Sequence, residues 1–181
     1  MKTLTIRPVL GASIGVLFGL ATLAAPRAQS ATDASMSDKH FVSEALKGGM
    51  AEIQMGRLAQ EKGSSRDVKN FGRKMVQDHT KLGDQMKQVA DRLGVSVPQS
   101  PTILEQVEIK KLSGLSGSEF DQEYIKDMVK DHEDDLSDFK KEADSGTSPL
   151  VKNAATQGAN VISTHLDMIK QIAGTHNIAL K

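Results

Sequence analysis

The sequence predicts an all-α protein built around a four-helix bundle, on three observations. Four long segments carry apolar residues at helical spacing, and none sustains the alternation of a strand. The connections between these segments run short, long, short. The chain has no Cys, no Trp, one Tyr and five Phe, so aliphatic side chains and eight Met must fill the core.

The 181 residues divide before the bundle begins. Residues 1–30 hold Lys2 and Arg7, an apolar run from Val9 to Ala25, and small residues with Ala28 and Ser30 placed for cleavage. That order marks a secretory signal peptide. The run is about 17 residues and rich in Gly and Ala, short for a membrane span of about 20. No Cys follows it, which argues against a lipid anchor. Residues 31–37 read as a flexible lead-in, 38–175 as the bundle and 176–181 as a tail. Removal of 1–30 leaves 20 basic and 23 acidic residues, a net charge of −3. No basic face then remains for a nucleic acid. The expectation is a periplasmic or secreted protein, compatible with outer-membrane association, with no stable span after cleavage. Its expected partners are a second copy of itself or another envelope protein. Without cysteines it has no disulfides, so the core must hold it together.

The elements follow in order. The first helix runs from about Asp38 to Lys62, capped by Ser37 or Asp38 and stopped by Gly63. The second runs from Ser65 to Leu93 and stops at Gly94. Residues 94–117 open with Pro98 and Pro101 and have room for a short helix from Thr102 to Leu112. A structureless loop of that length is unusual in a compact domain, and a crossover along the bundle explains it better. Ser118 is placed to cap the third long helix, which ends near Ser145 and Gly146. The fourth starts after Thr147 and Ser148 with Pro149 in its first turn, and Gly174 is its expected stop. Short connections make antiparallel hairpins, so the pattern is that of a ferritin-like four-helix bundle with a long middle crossover. The alternative is an up-down-up-down bundle with a decorated middle loop.

One phrase occurs twice: MVQDHT at Met75–Thr80 and MVKDHE at Met128–Glu133. At 100° per residue, His79, His132 and His165 each lie at the centre of their helix's apolar stripe, and Glu52 lies on that of the first helix. All four sit near mid-helix, so in a bundle they meet in one central layer. A buried imidazole or carboxylate without a partner is unstable there. Three imidazoles and a carboxylate suit one transition metal ion, Zn²⁺, Fe²⁺ or Cu²⁺. Met75 and Met128, one turn from His79 and His132, add thioethers that favour copper, although Met in such places also serves as core filling. Asp78 and Asp131 lie about 100° from the stripe centre. There they either orient a neighbouring helix's imidazole or face solvent.

Two readings compete with metal binding. One is a structural or interaction protein whose Glu–His cluster is metal-free and hydrogen-bonded to itself. The other is a redox enzyme of the di-iron bundle type, which needs Glu-x-x-His, whereas Val76, Val129 and Ile162 stand three residues before the histidines. His40, His176 and the run Glu133, Asp134, Asp135 read as solvated, with Asp135 leaning toward a seam. Buried neutral imidazoles predict loss of stability in acid. No phosphate loop, dinucleotide fingerprint or hydrolase spacing occurs.

The stretches FVSEALKGGMAEIQMGRLAQEKGSSRDVKNFGRKMVQDHTKL and LSGLSGSEFDQEYIKDMVKDHEDDLSDF, with THL in the last helix, resemble an exported bacterial family, domain of unknown function 4142. The likeness spans about residues 38–175. It implies a ferritin-like bundle in the periplasm or outside the cell, an association of some members with envelope or stress phenotypes, and no established activity.

Overall fold

The computed structural model describes residues 34–180. The expected signal peptide, and residues 31–33 of the expected lead-in, lie outside the described residues. Five helices follow: α1 (Met36–Lys62), α2 (Arg66–Leu93), α3 (Ile103–Ser113), α4 (Gly117–Ser145) and α5 (Pro149–Thr175). Among the described residues there is no strand.

The helix ends differ from expectation by local chemistry. α1 starts at Met36 because Ser35, not Ser37 or Asp38, is its N-cap; Asp38 closes a capping box as the third helical residue. The cap of α4 is Ser116, and Ser118 falls inside the helix. Gly174 also lies inside its helix; α5 ends where Asn177 takes a left-handed φ of 55° and Ile178 N–H returns to Ala173 O. Gly94 stops α2 as expected, with φ of 65° and its N–H on Ala90 O and Asp91 O. Thr102 and Glu105 make a second capping box at the start of α3.

The hydrogen bonds at the two ends settle the topology. Asp121, in the first turns of α4, accepts from Ser64 N, Ser64 Oγ and Ser65 N in the α1–α2 turn. Gly63 and Gly117 form a parallel bridge beside it. At the opposite end Asp38 of α1 accepts from Thr147 N and Thr147 Oγ1 in the α4–α5 turn. α4 therefore begins where α2 begins, and residues 94–116 cross the length of the bundle. An up-down-up-down chain would begin α4 at the end of α2. The crossover carries α3, which packs against α1. The ferritin-like connection holds.

The apolar core comes in two parts. The larger cluster, at the Asp121 end, includes Met55, Phe71, Met75, Phe120, Tyr124, Ile125, Met128 and Ile169. The smaller cluster, at the Asp38 end, includes Val42, Leu46, Met86, Val89, Leu93 and Val151. Glu52, His79, His132 and His165 come from mid-helix and are buried between them.

Candidate metal centre

Helical periodicity alone aims the four side chains inward, and the bundle then brings them to one level. His79 Nδ1 lies 2.7 Å from Glu52 Oε2, and His132 Nε2 lies 3.5 Å from Glu52 Oε1. His79 Nε2 lies 3.2 Å from His165 Nδ1. The ring centroids of the three imidazoles stand 5.2, 5.6 and 5.9 Å apart. One ligand atom from each of the three lies within 4.8 Å of the others. Glu52 is 4 % exposed and His132 and His165 are 0 % exposed, so all three are withdrawn from bulk solvent.

The two copies of the repeated phrase differ. Asp78 Oδ2 lies 3.0 Å from His165 Nε2 and 2.8 Å from Lys74 Nζ. Burial opposes its ionisation, but the hydrogen bonds from Lys74 and His165 hold Asp78 below the usual carboxylate range. Asp131 has no such imidazole. Burial, with Glu108, Glu52 and Asp135 close by, pushes it up to about 8. Met75 and Met128 are fully buried within the larger apolar cluster.

Burial pushes all three imidazoles down to about 4. For His79 the Asp78 charge resists this, and for His132 the Glu52 charge does. For His165 the hydrogen bond to Asp78 resists it, while His79 adds to the depression. Burial pushes Glu52 up to about 7 against the pull of His132.

Tautomers decide what this layer can do. With Glu52 ionised, His79 donates Nδ1–H to it and presents a bare Nε2. His165 donates Nε2–H to Asp78 and presents a bare Nδ1. Those two lone pairs then face each other at 3.2 Å, an arrangement that calls for a cation between them. With Glu52 protonated, a chain of donors runs from Glu52 through His79 and His165 to Asp78. Even then both ring nitrogens of His132 and Oε1 of Glu52 lack a hydrogen-bond partner. Buried polar groups are rarely left so.

Other buried ionisable groups were not singled out by the sequence. Asp38 and Glu142 share the Thr147 end of the bundle, both buried. Burial and a hydrogen bond to Asp38 push Glu142 up to about 7. His176, expected in solvent, is part-buried and lies 2.9 Å from Asp67, because it caps α5 beside the first turn of α2. His40 is exposed as expected. Glu133 and Asp134 are exposed, whereas Asp135 is half-buried at the seam. Helical spacing gives no signal for contacts made by chain ends.

The sequence matches the domain of unknown function DUF4142 over residues 23–172. The chain belongs to this family. DUF4142 here shares its fold with proteins of another such family, DUF305. One is a fragment from Deinococcus radiodurans, at TM-score 0.70 and 15 % identity, over 78 % of this chain and 98 % of that one. A second, a candidate secreted protein from Streptomyces coelicolor, superposes at 0.69 with 14 % identity over 80 % and 95 %. CopM in its Cu(I)-bound form superposes at 0.64 with 18 % identity, over 76 % of this chain and 96 % of CopM. At these identities the likeness is one of fold. No curated protein matches the DUF4142 chain by sequence.

Proposed function

We propose that this DUF4142 protein binds one transition metal ion at the waist of its bundle, through His79, His132 and His165. Glu52 either joins as a fourth ligand or orients His79. The observation that carries the reading is the inward set of nitrogens, three imidazoles from three helices within 4.8 Å, two of them backed by carboxylates. Carboxylate–histidine pairs of this kind fix the tautomer that presents a lone pair to a metal. Ligand nitrogens about 2.0–2.1 Å from a tetrahedral ion stand roughly 3.3 Å apart. The His79–His165 separation of 3.2 Å already fits, and from a spread of 4.8 Å the remaining imidazole has to move in by up to about 1.5 Å.

The donor set suits Zn²⁺, Fe²⁺ or Cu²⁺. Met75 and Met128, one turn before His79 and His132, would add soft donors for copper, and CopM, a structural neighbour, is known in a Cu(I)-bound form. Export as an envelope or secreted protein rests on the leader in residues 1–30, and an envelope-stress role on the family likeness. Among the described residues no helix is long and apolar enough to cross a membrane.

The donor chain Glu52–His79–His165–Asp78 favours a second reading, a metal-free cluster that fixes helix register. Metal titration of untagged protein separates the two. Under the first reading, Zn²⁺, Cu²⁺ or Fe²⁺ binds at one per chain, raises the melting temperature, and is lost in a His79→Ala/His132→Ala variant. Untagged wild-type protein that takes up none of the three ions supports the second.

A further inference from the structure

A cavity of about 440 Å³ lies in the half of the bundle that holds the smaller apolar cluster, and it reaches Glu52 and His79. Besides Glu52 it is lined by Glu44, Glu105, Asp135 and Asp138, with Arg92 as the basic residue among them. An acidic wall is common on proteins; the feature that sets this one apart is at its inner end. Glu52 is 4 % exposed, and its Oε1 has no hydrogen-bond partner. Glu52 thus stands between the cavity and the triad, with Oε1 on the triad side, 3.5 Å from His132 Nε2. A buried carboxylate oxygen without a partner is an acceptor waiting for a cation or a donor.

Two glycines keep the approach clear. Gly48 lies one turn before Glu52 on α1, Gly83 lies one turn after His79 on α2, and both line the cavity. A Cβ at Gly83 would meet nothing within 4 Å, and one at Gly48 would meet Glu105 Oε1 at 3.6 Å. Side chains at these positions would fill the space above the site without a clash to forbid them. Six waters around an ion occupy roughly 180 Å³ at about 30 Å³ each, so the cavity admits a hydrated ion.

We propose that this cavity is the entry route by which a hydrated metal cation reaches the histidine triad, with Glu52 Oε1 receiving the ion at the inner end. The proposal rests on the metal-binding reading above. Crowding among the carboxylates agrees with it: burial, together with Glu52, Asp138 and Glu105, pushes Asp135 up to about 8, and an entering cation would relieve that repulsion. A smaller crevice of about 70 Å³ also touches His79 and Gly83, but Asp84 and Lys87 line it, so it lacks the acidic wall.

The test measures loading rate and equilibrium affinity separately, in untagged full-length protein, with whichever of Zn²⁺, Cu²⁺ and Fe²⁺ the wild type binds most tightly. Gly83→Leu should plug the route, slowing uptake and release by at least about tenfold while changing the dissociation constant only a few-fold. Glu44→Gln/Glu105→Gln/Asp138→Asn should slow uptake about tenfold at low ionic strength and flatten its salt dependence. The charge variant tests the acidic route if the plug prevents folding. Wild-type loading rates in the folded variants would overturn the route and leave the metal site standing. Slowing by the plug but not by charge removal would move entry to the smaller crevice and overturn it too. A wild type that binds no ion would overturn both readings.

Discussion

At the scale of single residues, Asp78 and Asp131 stand in the same local phrase and meet different surroundings. Asp78 reaches His165 on another helix, at 3.0 Å, and Lys74 helps keep it ionised. Asp131 stands among other carboxylates. Removing an outer partner of a metal-bound histidine typically lowers metal affinity about 10–100-fold. Asp78→Ala should show that loss in chelator competition, whereas Asp131→Asn should stay within a few-fold of wild type. Equal losses in the two variants would show that Asp78 does not orient a ligand. Sequence placed both residues at the same angle from the stripe centre. It could not distinguish them, because the deciding neighbour belongs to a helix 87 residues away.

At the scale of elements, glycines on the inner faces of α1 and α2 do opposite things. Gly56 and Gly72 face each other where the backbones of the two helices approach closely. A Cβ at Gly72 would lie 2.6 Å from Gly56 O, and one at Gly56 would lie 2.8 Å from Gly72 O. Backbone cannot yield as a side-chain tip can, so Gly72→Ala should force the helices apart and cost about 1–3 kcal/mol in denaturant melts. Gly49, mid-helix with nothing within 4 Å of its would-be Cβ, should respond with the other sign. Gly49→Ala should stabilise by roughly 0.5–1 kcal/mol through helix propensity. Helical periodicity shows which face a glycine occupies. Whether that face is in tight contact or bounds a cavity depends on the partner helix.

At the scale of the whole molecule, pH dependence is a balance between acids and imidazoles. The folded chain pushes Glu52 and Glu142 from 4.5 up to about 7, and Asp131 and Asp135 from 3.8 up to about 8. These groups hold protons in the folded chain that the unfolded chain releases. Their contribution is full below the ordinary carboxylate values and is lost as pH rises through 7 to 8. The imidazoles, pushed from 6.5 down to about 4, work the other way: their contribution is full above 6.5 and lost as pH falls toward 4. Between about 4.5 and 6.5 the two sets oppose each other, and above that window only the carboxyls act. Metal-free protein should therefore melt higher near pH 5.5 than near pH 8.5, by a few degrees, in calorimetric scans. The reverse order would contradict the buried carboxyls. Glu142→Gln should weaken the alkaline loss, since an amide can donate to Asp38 at every pH. The sequence-based expectation of destabilisation by acid counted the imidazoles alone. Burial acts on the neighbouring acids as well, and their neighbourhood appears only in the folded chain.

Legible in the chain alone were the four long helices, the length of the connection between the second and third of them, and the inward aim of Glu52, His79, His132 and His165. These follow from periodicity and chain punctuation, which are local properties of a helix. Packing settled the remainder, beginning with the course of that connection as a crossover along the bundle. It set which imidazole each carboxylate meets, and which glycines touch and which leave room. It also tied His176 to Asp67 and placed Glu52 between a cavity and the histidines. Those outcomes depend on how far apart and at what rotation two helices lie, and a single helix carries no record of either.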